Sequence, residues 1–117
     1  MSISDFLTHL TTAPDTIHFN DTMTTIDANY HFTPSSFHNG ELLNNAGQNS
    51  GSCKLFAFAK LHQLTEAQTL ACFGDYYRQD VLVHPNASDH QNIRNFMRSG
   101  WGGIRFEQQP LAAKEIS

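Results

Sequence analysis

The sequence predicts an α+β fold: one compact domain over residues 1–117, mainly helical, with a small antiparallel β-sheet. Three observations carry the prediction. Apolar residues recur at helical spacing along most of the chain. The period changes around the pair Asn39-Gly40, the strongest short-range signal for a two-residue hairpin turn. The 117 residues are 39% hydrophobic and only 15% charged, a balance that buries one core without metal or disulfide staples.

In chain order, Ser2 or Ser4 can cap a first helix whose Ile3, Leu7 and Leu10 share a face and which Pro14 stops. In FNDTMTTIDANY, Phe19, Met23, Ile26 and Tyr30 form one stripe of a second helix, with Asn20 or Asp21 as cap and the threonines on the wet side. The sheet is expected from Phe32 to Leu43, with positive φ at both Asn39 and Gly40, and Pro34 belongs at an edge or bend. KLFAFAKLHQL is apolar on nearly every side, which marks a helix buried on most of its circumference and anchored by Phe56 and Phe58.

Thr65 and Gln68 form a capping-box pattern that opens a helix with Ala67, Leu70, Gly74, Tyr77 and Val81 on one face. Gly74 on that face implies close contact with a neighbour. HPNAS breaks the helix, and Ser88 with Gln91 repeats the capping pattern before a helix facing inward through Ile93, Phe96 and Met97 and closed by Gly100. WGGIRFE reads as a strand over Gly103 to Glu107 that joins the hairpin, with Ile104 and Phe106 inward. The tail from Pro110 either frays or docks. Trp101, between two glycines, is expected in the core or as an exposed anchor for a partner.

Composition excludes several classes. All seven Lys and Arg fall from Lys54 onward, while residues 1–53 hold five acidic side chains, so no basic stripe is available for nucleic acid. No apolar run approaches the ~20 residues of a membrane span, and MSISDFLTHL has no signal-peptide core, so neither a membrane anchor nor general secretion is expected. Cys53 and Cys72 are expected to be free thiols, and no cofactor is expected.

Candidate polar sites lie in three segments. In NNAGQNSGSCK, N–H groups around Gly47, Gly51 and Ser52 beside Lys54 could form an anion nest, or Asn49 and its neighbours could simply turn the chain with Ser52 as helix cap. Cys53, at the first helical position, would be a nucleophile with lowered pKa if His38 or His90 served as base, and otherwise a small packed residue. HPNASDH offers His84, Asp89 and His90, which His38, Asn39 and Glu41 of HNGE could join in space. Their donor types suit a transition metal, but the spacing is no metal signature and no metal is expected. Tyr76 and Tyr77 with Arg78 and Asp80 could line a cleft.

The segments HNGELLNNAGQNSGSCKLFAFAKLHQL, TLACFGDYYRQDVLVHP and DHQNIRNFMRSGWGGIRF, in this order and spacing, resemble the HopJ type III effector family over nearly the whole chain. The resemblance implies an effector or interaction protein, not an enzyme with an established active site. It also implies a protein partner in host or bacterium and a bacterial cytoplasmic origin with export by type III secretion; a monomer is expected. Ser2, Ser4, Thr8, Thr11 and Thr12 are compatible with such an export signal and equally with an ordinary surface helix. The alternative is a small enzyme or ligand-binding protein whose cleft is built by the HNGE, AGQNSGSCK and HPNASDH segments.

Overall fold

The computed structural model describes residues 2–114. Helix α1 (Ile3–Thr12) starts at Ser2, whose hydroxyl accepts the Asp5 N–H at 3.0 Å, and it buries Phe6 and Leu10. Pro14 opens a 3₁₀ turn, Pro14–Thr16. Helix α2 (Phe19–Asn29) is capped by His18 and not by Asn20 or Asp21; the His18 N–H donates to Asp21 Oδ2 at 2.9 Å. Its threonines are not all wet. Thr22 and Thr25 are buried, with their hydroxyls donating to the carbonyls of Cys72 and Asp21, so both hydroxyls are paired in the core.

The strands form two antiparallel sheets where one was expected. Tyr30 leaves the α2 stripe and begins β1 (Tyr30–Phe32); β2 (Phe37–Asn39) and β3 (Leu42–Asn44) follow. After the helices come β4 (Ile104–Phe106) and β5 (Leu111–Ala113). The order in one sheet is β3-β2-β4, and in the other β1 pairs with β5. Pro34, which lacks an N–H, lies in the break between β1 and β2. The tail therefore docks, Phe32 opposite Leu111; its residues 115–117 lie outside the described residues.

The hairpin turn is shifted one residue from the expected position. Asn39 pairs with Leu42, so the two loop residues are Gly40 and Glu41, and of Asn39 and Gly40 only Gly40 has positive φ, +62°. That is the pattern of a type II′ turn with glycine first. The shift carries Asn39 out of the turn and into full burial.

Helix α3 (Ser50–Leu61) buries Cys53, Leu55, Phe56, Ala57, Phe58 and Ala59 in near-continuous sequence, as its all-round apolarity predicts. Phe56 meets Phe96 at 5.0 Å, Phe73 at 5.5 Å and Phe37 at 6.1 Å between ring centroids, while Phe58 meets Phe6 at 5.7 Å. The Thr65–Gln68 capping box forms as read and opens α4 (Glu66–Ala71). The expected long helix to Val81 does not form. Gly74 adopts φ +62°, Ala67 is exposed, and a π-helix, Tyr76–Val81, follows, with the Leu82 N–H donating to the Tyr77 carbonyl at 3.0 Å.

Helix α5 (Gln91–Ser99) starts at His90, two residues after the expected Ser88 cap, and ends at Gly100, φ +59°. Met97 is 45% exposed, contrary to its expected place in the core. Trp101 is half-buried, edge-on to Phe96, and its indole N–H donates to the Leu64 carbonyl at 3.0 Å. No helix among the described residues is long and apolar enough to cross a membrane.

Candidate functional site

The starts of α3 and α5 face one another across a cleft of about 490 Å³. Both helices begin unusually. Among the described residues only Asn49, Gln63 and His90 have positive φ without being glycine, and Asn49 and His90 are the two N-caps. Neither side chain caps its own helix, so the first-turn N–H groups beside Gly51, Ser52 and Gln91 have no side-chain acceptor.

The Asn49 side chain is engaged elsewhere, at the outer end of an amide network whose other members, Asn39, Asn44 and Asn92, are buried. Its Nδ2 donates to Asn44 Oδ1 at 2.7 Å, Asn92 Nδ2 donates to the same oxygen at 2.9 Å, and Asn44 Nδ2 returns a bond to Asn92 Oδ1 at 3.1 Å. Asn39 Nδ2 donates to both the backbone oxygen (2.7 Å) and Oδ1 (3.0 Å) of Asn92. The hairpin, the glycine-rich loop and α5 are thus locked together by four asparagines.

Phe19, Phe73 and Tyr76 supply the apolar wall of the cleft; Asn49, Ser52, His90 and Asn92 supply polar groups. The π-helix brings both Tyr76 and Asp80 onto His90. The rings of Tyr76 and His90 lie 5.1 Å apart, and His90 Nε2 is 2.9 Å from Asp80 Oδ2. With Asp80 holding Nε2, and Asp89 Oδ2 3.8 Å from the same nitrogen, Nδ1 is the ring's second polar atom for a ligand.

Of the sequence candidates, Asn49, Gly51, Ser52, Tyr76 and His90 line this cleft, and Asn39 lies behind it through Asn92. Ser52 is the third helical residue and not the cap. Cys53 is the fourth, 2% exposed; burial pushes its thiol pKa up, against a smaller opposing bond to the Ser35 carbonyl, so it is no activated nucleophile. Cys72 is pushed up to about 12 by burial, and both thiols are free. Lys54 turns away, 2.9 Å from Asp27 Oδ1 and over the Phe32 ring.

His38 is exposed on β2 opposite Leu43 and Arg105, Glu41 is exposed in the hairpin turn, and His84 is exposed after the π-helix. Asp89 serves the loop. The Arg94 guanidinium, 2.7 Å from Asp89 Oδ1, holds that carboxyl below its usual range while its other nitrogens bind the Asp89 and Pro85 carbonyls. Among the described residues no three His, Cys, Asp or Glu side chains are placed to hold a metal ion.

The sequence reading missed Asn44, Asn92, Phe19 and Phe73 as site residues. Asn92 carried a signal: it stands four residues before Phe96, on the apolar face of α5, where an amide has to find partners.

The family model for HopJ type III effector protein matches residues 3–111. The crystal structure of the unknown function protein VPA0580 matches with a TM-score of 0.96 and 54% sequence identity, covering 97% of this chain and 95% of that one. No curated protein matches the chain.

Proposed function

The chain belongs to the HopJ type III effector protein family, and from that premise we propose that it is an effector-type binding protein whose recognition site is the α3–α5 cleft. One observation carries this reading: an aromatic wall and a hydrogen-bonding histidine, oriented by a carboxylate, converge on one concave site from three separate segments. The fitting ligand is a planar aromatic group with an N–H or O–H directed at His90.

Thermal shift with phenol and indole tests it. A saturable rise in melting temperature is expected for the wild-type chain, because a ligand bound only to the folded state stabilises it by mass action. His90→Asn keeps a residue that tolerates positive φ but removes the ring, and should abolish the rise. No rise, or an equal rise in both proteins, contradicts the reading.

Synthesis in the bacterial cytoplasm and export through a type III apparatus belong to the same proposal, supported by the family. Ser2, Ser4, Thr8, Thr11 and Thr12 stand exposed at and along α1, where a secretion apparatus can meet them. A reporter fused to the full chain should leave a bacterium with the apparatus and stay inside a strain lacking it.

A second reading has its own observation. Leu82, Val83 and Met97 are 49%, 59% and 45% exposed, and Leu82 and Met97 line a groove of about 420 Å³ flanked by Arg98. A protein partner, host or bacterial, with an apolar side chain beside a carboxylate would fit there.

A further inference from the structure

Asn39 and Gly40 form the only Asn-Gly step in the chain, and the fold treats it in a particular way. In such a step the peptide nitrogen of glycine can attack the asparagine side-chain carbon Cγ. A new C–N bond closes a five-membered succinimide, the bond to the amide nitrogen breaks, and ammonia leaves. Water then opens the ring to aspartate or isoaspartate, so the net change is NH2 replaced by OH with water as the only co-reactant. Glycine favours the reaction because it has no Cβ to shield the nitrogen or restrict the backbone.

Every participant is restrained in the folded chain. Asn39 is 0% exposed, and its backbone lies in β2 between Leu42 on one side and Ile104 on the other. The Asn39 amide is held by two hydrogen bonds to Asn92, and the Gly40 nitrogen that must attack donates its proton to the Gly103 carbonyl at 3.0 Å. We propose that Asn39-Gly40 is a deamidation site that the fold keeps closed, so that conversion takes place only in molecules whose hairpin has opened and marks them permanently.

Permanence follows from what the folded site offers the product. In aspartate the oxygen replacing Nδ2 would face two acceptors, the backbone oxygen and Oδ1 of Asn92. The other oxygen would occupy the place of Asn39 Oδ1, a buried atom with no hydrogen-bond partner. A fully buried carboxylate with no donor at either oxygen opposes refolding strongly. Isoaspartate adds a backbone atom within β2 and disrupts its pairing on both sides. Because Asn92 also lines the α3–α5 cleft, the lesion disables the candidate site whatever ligand it takes.

The experiment incubates the wild-type chain at mildly alkaline pH, folded in buffer or unfolded in urea, and follows deamidation at each asparagine by peptide mass spectrometry. Conversion at Asn39 should be slower in the folded chain by roughly a hundredfold or more, since an opening equilibrium gates it. The exposed Asn45 and Asn86, which lack a following glycine, should change far less between the two conditions. Equal rates at Asn39 in folded and unfolded protein would overturn the proposal. Asn39→Asp should melt well below wild type or fail to fold, and a wild-type melting temperature for it would overturn the permanence.

Discussion

Asn92 is the residue through which the hairpin, the glycine-rich loop and α5 communicate, since it accepts from Asn39 and Asn44 and donates to Asn44. Asn92→Ala leaves buried amide groups of both partners short of bonds and should cost about 1–3 kcal/mol, read as a lower urea midpoint at unchanged slope. An unchanged midpoint would mean that the network is replaceable. His62 yields a pH prediction. Packed on the Phe58 ring at 4.5 Å and bonded to the Tyr30 hydroxyl at 2.8 Å, it has its pKa lowered by burial below the ordinary 6.5. The unfolded chain therefore takes up the proton first as pH falls. The contribution of neutral His62 to stability is complete above pH 6.5 and is lost on the way down through the depressed folded value. Urea midpoints should fall across that window, and less steeply in His62→Gln; parallel curves would contradict it.

At the scale of elements, local rules succeeded where the local partners were also the final ones. The Thr65–Gln68 box forms from within its own helix, and Ser2 caps α1 in the same way. They failed at α3 and α5. Asn49 and His90 enter these helices with left-handed backbone because their side chains serve Asn44 and Asp80, partners that no capping pattern contains. Ser52→Ala should consequently stay within about 0.5 kcal/mol of wild type, as a helical surface position does; a loss near 1 kcal/mol would restore Ser52 as a cap. Gly74 shows the same limit. Its place on a helical stripe signalled close contact, yet not that the helix would break there. A Cβ at Gly74 would lie 2.6 Å from the Phe19 nitrogen, whereas one at Gly47, also at positive φ, meets nothing within 4 Å. Gly74→Ala should therefore lower the melting temperature clearly more than Gly47→Ala, which carries only the backbone strain of about 1–2 kcal/mol. Equal losses would show that the packing at Gly74 relaxes freely.

At the scale of the whole molecule, the core was the most legible feature, because burial of α3 on nearly all sides follows from its own composition. The sheets were half legible: the β2–β3 hairpin and its β4 partner follow from turn and alternation signals, whereas the β1–β5 pairing is a long-range contact without a local marker. The cleft was least legible. HNGE, AGQNSGSCK and HPNASDH were named as its parts, but of their candidates only Asn49, Gly51, Ser52 and His90 reach it; Tyr76, read as a possible cleft residue, does line it, while Phe19 and Phe73 of its aromatic wall come from helices read as core. The binding proposal rests on this convergence. The most direct measurement is an amide NMR titration of the full chain with phenol and indole. Saturable shifts clustered at Gly51, Ser52, Tyr76 and His90 to Ile93 are expected; shifts confined to the groove around Leu82 and Met97, or none, would contradict binding in the cleft.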